Sequence, residues 1–309
     1  SAKAANMLET ALEGISKILI CIILSAGTWS VLKGDMTLGE LVGFYSLCTF
    51  FTIPVNELIG ASNTIAKAKV AYERIFEILS LQEADSNRGS LSPKEMYGDI
   101  NINRLHFRYP GREPLFNGLS ATIKKGEITR ITGDNGCGKS TLLQLIMGDF
   151  EPVGGEITYA GINIRQFNGK EWRDLVSYVG QRPQLLEGNI LENITMGEEE
   201  PDINRVMEIC SSLGMKGMLE RFPQGLLTTV GNGGKRLSGG ESQKVCIARA
   251  LYKKARIYIF DEATASLNTE GEEIVARCIN SLKEEGKSVI YISHREESGI
   301  LTDNVVSIN

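Results

Sequence analysis

What this chain of 309 residues lacks narrows the field before any motif is read. Its six cysteines, Cys21, Cys48, Cys137, Cys210, Cys246 and Cys278, are widely scattered and never form a CxxC pair. Zinc sites and dithiol redox sites need close pairs, so neither is expected. Scattered cysteines in a chain of this size read as reduced thiols in a cytosolic or membrane setting. Positive charge is also short: 33 Lys and Arg against 38 Asp and Glu give a formal net charge of -5. That balance argues against a nucleic-acid surface, which is built on clustered cations. No tandem repeat or low-complexity tract occurs, and residues 1–10 lack the basic n-region of a signal peptide. Hydrophobic content of 42% and charged content of 23% are near globular averages, so extended disorder is not expected either.

What is present falls into two halves. Residues 18–32 read ILICIILSAGTWSVL and residues 41–56 read LVGFYSLCTFFTIPVN, both without charge. A polar connection containing Gly34 and Asp35 separates them. Each run falls just short of the roughly 17–25 residues of a membrane-spanning helix, and flanking residues can extend both. Lys17 can snorkel, and the second run carries enough apolar residues to offset Glu57. Two membrane helices are expected, with buried core helices as the alternative. Lys67, Lys69 and Arg74 beyond the second run suggest a cytoplasmic exit. Residues 81–97, with Gly89 and Pro93, have a linker's composition. From residue 98 onward β-rich runs (DININ, EITRIT, EITYA, RIYIF, SVIYIS) alternate with helical stretches, which predicts an α/β domain with a largely parallel sheet.

The run Gly133-Asp134-Asn135-Gly136-Cys137-Gly138-Lys139-Ser140, followed by Thr141, fits GxxxxGK[ST] between a credible strand and a credible helix. A phosphate chain needs several inward-pointing backbone N–H donors, and glycines let the backbone wrap that closely. The dipole of the helix starting near Lys139 adds to the attraction. Lys139 is expected at the β- and γ-phosphates and the Ser140 hydroxyl at Mg²⁺. Downstream, an apolar strand ends in Asp261 and Glu262. In P-loop enzymes such a strand lies beside the phosphate-loop strand, so Asp261 is the expected metal-side acid and Glu262 the general base.

Leu237-Ser238-Gly239-Gly240-Glu241, then SQKVCIARALYKKA, precedes that strand. With these motifs, in this order and spacing, the chain resembles the ATP-binding-cassette (ABC) family. The resemblance places Gln181 at the family's glutamine position, where it would sense water or ligate Mg²⁺, and puts residues 265–268 in the D-loop. It makes His294 the switch histidine and Tyr109 the aromatic that stacks on adenine. It implies a P-loop NTPase cassette with an α-helical subdomain. It further implies ATP and Mg²⁺ as ligands, and a head-to-tail pair of cassettes in which Ser238, Gly239 and Gly240 of one copy meet the nucleotide of the other. More loosely, the first half resembles the last membrane helices of a type I exporter. The implied organisation is a partial transmembrane domain at 1–80, a linker at 81–97 and the cassette at 98–309. The implied protein is an ATPase driving export across a cell membrane, multi-pass, with the cassette in the cytoplasm. Its cargo, and whether its halves are identical, stay open, and the chain reads as a fragment of a longer exporter.

Two positions depart from the family pattern: Glu241 stands where Gln is usual and Asn268 where Asp is usual. A soluble ABC-type ATPase acting on DNA or ribosomes fits less well, since neither coiled-coil arms nor a second cassette is present and the apolar helices have no place in one. A non-hydrolysing regulatory cassette fits less well because Glu262 and His294 are intact.

Overall fold

Period-2 alternation of large apolar side chains sets the architecture of the second half. In the strand over Ile257–Asp261, Ile257 and Ile259 turn to one core while Tyr258 and Phe260 turn to another, and all five residues are buried. A strand hydrophobic on both faces needs cover on both, which is the condition for a parallel sheet between layers.

The computed structural model describes residues 2–79, 88–231, 234, 237–293 and 299–308. Side chains are described within these except at 2–13, 15, 16, 52, 53, 55–60, 62, 63 and 77–79. The chain divides into two compact units, Ser1–Gln82 and Glu83–Asn309.

The first unit is a helical hairpin of α1 (Ala2–Lys33) and α2 (Leu38–Leu79). Gly34, at φ 81°, makes the turn between them. Thr37 and Glu40 then close a reciprocal cap on α2: the Thr37 N–H donates to Glu40 Oε2 at 2.8 Å and the Glu40 N–H to Thr37 Oγ1 at 3.3 Å. Gly27 lets α1 approach Leu41 so closely that a Cβ there would overlap the leucine side chain. Among the described residues, no helix is long and apolar enough to cross a membrane.

The second unit runs β1 (Ile100–Phe107), β2 (Phe116–Ile123), β3 (Ile128–Gly133), α3 (Lys139–Met147), β4 (Gly154–Tyr159), β5 (Ile162–Asn163), α4 (Gly169–Leu175), β6 (Val176–Val179), β7 (Gly188–Asn189), α5 (Ile190–Thr195), α6 (Ile203–Ser212), α7 (Lys216–Glu220), β8 (Thr229–Val230), α8 (Gly239–Tyr252), β9 (Ile257–Asp261), α9 (Thr269–Glu284), β10 (Ser288–Ile292) and β11 (Asn304–Ile308). The central sheet, in order β11-β3-β10-β9-β6, is parallel throughout. The DININ and EITYA runs do not join it. As β1 and β4 they pair antiparallel in a second sheet, β2-β1-β4-β5. Alternation marks a strand but carries no information on its partner's direction, so the sequence merged two sheets into one.

One core lies between these sheets and holds α3, Trp172, Phe167 and Tyr159. The other lies on the opposite face of the parallel sheet, where α5 to α9 cover Val289, Tyr258 and Phe260. Residues 88–97, in the stretch of linker composition, hydrogen-bond into the second unit. The Gly89 N–H donates to Arg165 O at 2.8 Å and the Leu91 N–H to Gln166 O at 3.1 Å.

Candidate functional site: a phosphate loop at the carboxyl edge of the parallel sheet

Strands of a parallel sheet all end at one edge, and ligands of such sheets gather there. Here β3 ends in Gly133 and runs through the loop into α3. Gly133, Gly136 and Gly138 hold φ of 150°, 84° and 103°, values that disfavour a side chain. Gly138 also has no room for one, since a Cβ would stand 2.8 Å from Phe116 Cζ and 2.9 Å from Leu115 Cδ2. Asp134, Asn135 and Gly136 are exposed on the loop's crest, and Cys137 is half-buried. Lys139, only 8% exposed, folds its ammonium back over the loop, donating to Gly133 O at 2.8 Å and Asp134 O at 2.9 Å. A buried cation facing a glycine cradle at the start of a helix fits a phosphate chain in both shape and charge.

Register brings the remaining groups alongside. Asp261 on β9 lies opposite Ile292 on β10, which in turn lies opposite Ile131 on β3, so the acid's strand is not beside the phosphate-loop strand as expected: β10 stands between the two. On the other flank Val179 of β6 is opposite Phe260, so two residues later Gln181 reaches the same level as Glu262. Gln181 Nε2 donates to Glu262 Oε2 at 2.7 Å. Asp261 is 4% exposed; burial raises its carboxyl above the usual range, hydrogen bonds from Ser140 and Tyr178 oppose that rise, Glu262 reinforces it and Lys139 opposes it. A carboxylate beside the hydroxyl that follows the phosphate-loop lysine is a donor set of hard oxygens, which suits Mg²⁺. Glu262 takes the left-handed φ of 50°, and its N–H donates to Ile292 O at 3.1 Å. A non-glycine residue there is strained, as residues held at functional sites often are. His294 lies outside the described residues, two positions past the end of β10.

The other predicted residues sit around this edge. Tyr109 is half-buried, its ring edge-on to Phe107 and Phe150 and its hydroxyl 2.9 Å from Thr141 Oγ1. The phenol is thereby tied to the first turn of α3, and the ring packs with its aromatic neighbours. Ser238 is the N-cap of α8, with Gly239 and Gly240 in its first turn. Both glycines lie against the D-loop: a Cβ on Gly240 would stand 3.1 Å from Ser266 O and one on Gly239 3.8 Å from Ser266 Cβ. Asn268 caps α9, its Oδ1 accepting from the Gly271 N–H at 3.0 Å.

Three side chains that the sequence reading passed over belong to the same region. Tyr178 donates from its hydroxyl to Asp261 Oδ2 at 3.2 Å. Gln243, fully buried, donates from Nε2 to Gly180 O at 3.2 Å and so ties α8 to the residue before Gln181. Arg249 binds Asn193 O at 2.7 Å and Gln184 O at 3.1 Å, joining α8 to α5 and to the glutamine segment. Gln243 left a signal: it stands four residues before the buried Ile247, a polar group on an apolar stripe. The others needed the sheet order to be known.

The comparisons with known proteins agree with this geometry. The family model described as ABC transporter matches residues 116–265. The chain is 32% identical over 297 residues to ABC transporter B family member 1 of Dictyostelium discoideum, covering 96% of this chain and 33% of that one. It is also 32% identical to the pediocin PA-1 transport/processing ATP-binding protein PedD of Pediococcus acidilactici, covering 99% of this chain and 42% of that one. Among solved structures it resembles a bacterial Atm1-family ABC exporter with ATP bound, with a TM-score of 0.71 and 25% identity, covering all of this chain and 54% of that one. The chain therefore spans about a third to two fifths of the length of these curated relatives. With the phosphate loop, the paired acids and the LSGG helix start inside the matched segment, the chain belongs to the ABC transporter family.

Proposed function

We propose that this chain binds MgATP at the carboxyl edge of its parallel sheet and hydrolyses it to drive export across a membrane. The observation that carries the reading is the meeting of three things at that edge: the glycine cradle with the Lys139 ammonium, the Ser140–Asp261 pair, and Glu262 held by Gln181. The loop over residues 133–141 binds the phosphates, Lys139 the β- and γ-phosphates, and Tyr109 the adenine. Ser140, Asp261 and Gln181 are the residues that would hold Mg²⁺, which when bound neutralises charge between the β- and γ-phosphates. Glu262 accepts the proton of the attacking water, and Gln181 orients its carboxylate. His294 acts as the switch residue at the γ-phosphate.

Ser238, Gly239 and Gly240 receive the nucleotide held by a second cassette, identical or related, because exposed N–H groups at a helix start favour an anion. In this reading α1 and α2 belong to a multi-pass membrane domain, residues 81–97 lead out of it, and the cassette faces the cytoplasm. One relative's name points to transport of pediocin PA-1; the cargo of this chain is not chosen by any residue of the site.

Replacing Glu262 with Gln keeps the Gln181 contact sterically possible but removes the base. Turnover measured as phosphate release should fall by about 10²–10⁴-fold, while binding of a fluorescent ATP analogue persists. Undiminished turnover in Glu262→Gln would remove Glu262 from the mechanism.

A further inference from the structure

The departure at position 241 has a partner. Glu241 is the third residue of α8, and it closes a reciprocal cap with Ser238: Glu241 Oε2 accepts from the Ser238 N–H at 2.8 Å, and Ser238 Oγ from the Glu241 N–H at 3.2 Å. The cap places a full negative charge at the helix start and uses the Ser238 N–H. An incoming phosphate is repelled by that charge. A glutamine there closes the same cap without charge.

Arg221, just past the end of α7, pairs with Glu241 Oε1 and lays its guanidinium 5.9 Å from the ring of Phe222. Its side chain is 63% exposed, so the pair contributes little to folding. Its effect on the local potential does not depend on that contribution.

We propose that Arg221 is the counter-cation that makes a glutamate-bearing LSGG segment competent to receive the nucleotide phosphate of a second cassette. Arg221 is thus a positioning residue that acts through Glu241 rather than on the nucleotide. This inference rests on the proposed pairing of cassettes. It explains why Glu is tolerated at 241 in this chain: the charge it adds is cancelled by a residue 20 positions upstream.

The test uses the full chain carrying Glu262→Gln, so that bound ATP persists. The readout is the ATP concentration giving half-maximal pairing, followed by energy transfer between labelled cassettes. Adding Arg221→Ala should raise that concentration about tenfold at low salt, since the Glu241 carboxylate at the helix start then loses the cation that pairs with it. The difference should shrink as salt screens it. The melting temperature should barely move, which separates the effect from a structural one. Arg221→Ala combined with Glu241→Gln should return to within about twofold of Glu241→Gln alone, because a neutral cap needs no counter-ion. Pairing of Arg221→Ala at the parent's ATP concentration overturns the inference, as does a double variant that stays as weak as Arg221→Ala. If the parent itself never pairs at saturating ATP, the proposed function falls and takes this inference with it.

Discussion

Gly136 and Gly138 stand two residues apart in one loop, with φ of 84° and 103°, yet a methyl group meets different surroundings at each. At Gly136 nothing lies within 4 Å of an added Cβ, so Gly136→Ala carries only the left-handed backbone penalty of roughly 1–2 kcal/mol. At Gly138 the Cβ meets Phe116 and Leu115, both packed in the core under the loop. Overpacking then adds about 1–3 kcal/mol to the same backbone strain. For a domain of this size each kcal/mol is about 2–4 °C of melting temperature. Gly138→Ala should therefore melt several degrees below Gly136→Ala and lose more affinity for a fluorescent ATP analogue. Equal melting temperatures would mean that the loop's glycines serve the backbone alone and that the contact with Phe116 is immaterial.

At the scale of elements, helix starts account for both departures from the family pattern. Read as letters, Glu241 and Asn268 looked like losses of a neutral and an acidic group. In the fold each is a cap residue: Glu241 is the third residue of α8 closing a box with Ser238, and Asn268 is the N-cap of α9. Asn and Asp cap about equally well, so the exchange at 268 preserves the hydrogen bond to the Gly271 N–H. Asn268→Ala should cost about 1 kcal/mol, or about 2–4 °C in a thermal melt, while Asn268→Asp should match the parent or exceed it through the helix dipole. A melt of Asn268→Ala indistinguishable from the parent would show that α9 needs no side-chain cap.

The same elements show what the residues alone could reveal. The phosphate loop was legible because a strand, a fixed number of loop residues and a helix leave one way to build the cradle, whereas Asp261 reaches it across β10, which the sequence did not place between them. The pairing of Gln181 with Glu262 was not, because it follows from β6 lying beside β9 with Val179 opposite Phe260, and no local pattern encodes which strands adjoin. The hydrogen bond from Tyr178 to Asp261 was hidden for the same reason.

At the scale of the whole molecule, the first unit poses a different physical problem from the second. The cassette buries most of its large apolar side chains in two cores, whereas the helical hairpin leaves Ile18, Trp29, Leu32, Phe50 and Phe51 more than 60% exposed. Two helices cannot cover each other's full circumference, and contiguous apolar surface of that extent marks a lipid or protein interface. On the insertion scale the aliphatic and aromatic residues of residues 18–32 each favour the bilayer by about 0.3–0.6 kcal/mol. Lys17 and Lys33 at its ends can snorkel to the headgroups. Two cysteines report on this directly, since Cys21 sits within the first apolar run and Cys48 within the second. In native membranes holding the full chain, a water-soluble maleimide should leave Cys21 and Cys48 unlabelled by mass spectrometry, and detergent with denaturant should open both to reaction. Prompt labelling of both in intact membranes would mean that the hairpin lies in water or against a soluble partner, and the cassette would then be driving something other than a bilayer-embedded domain.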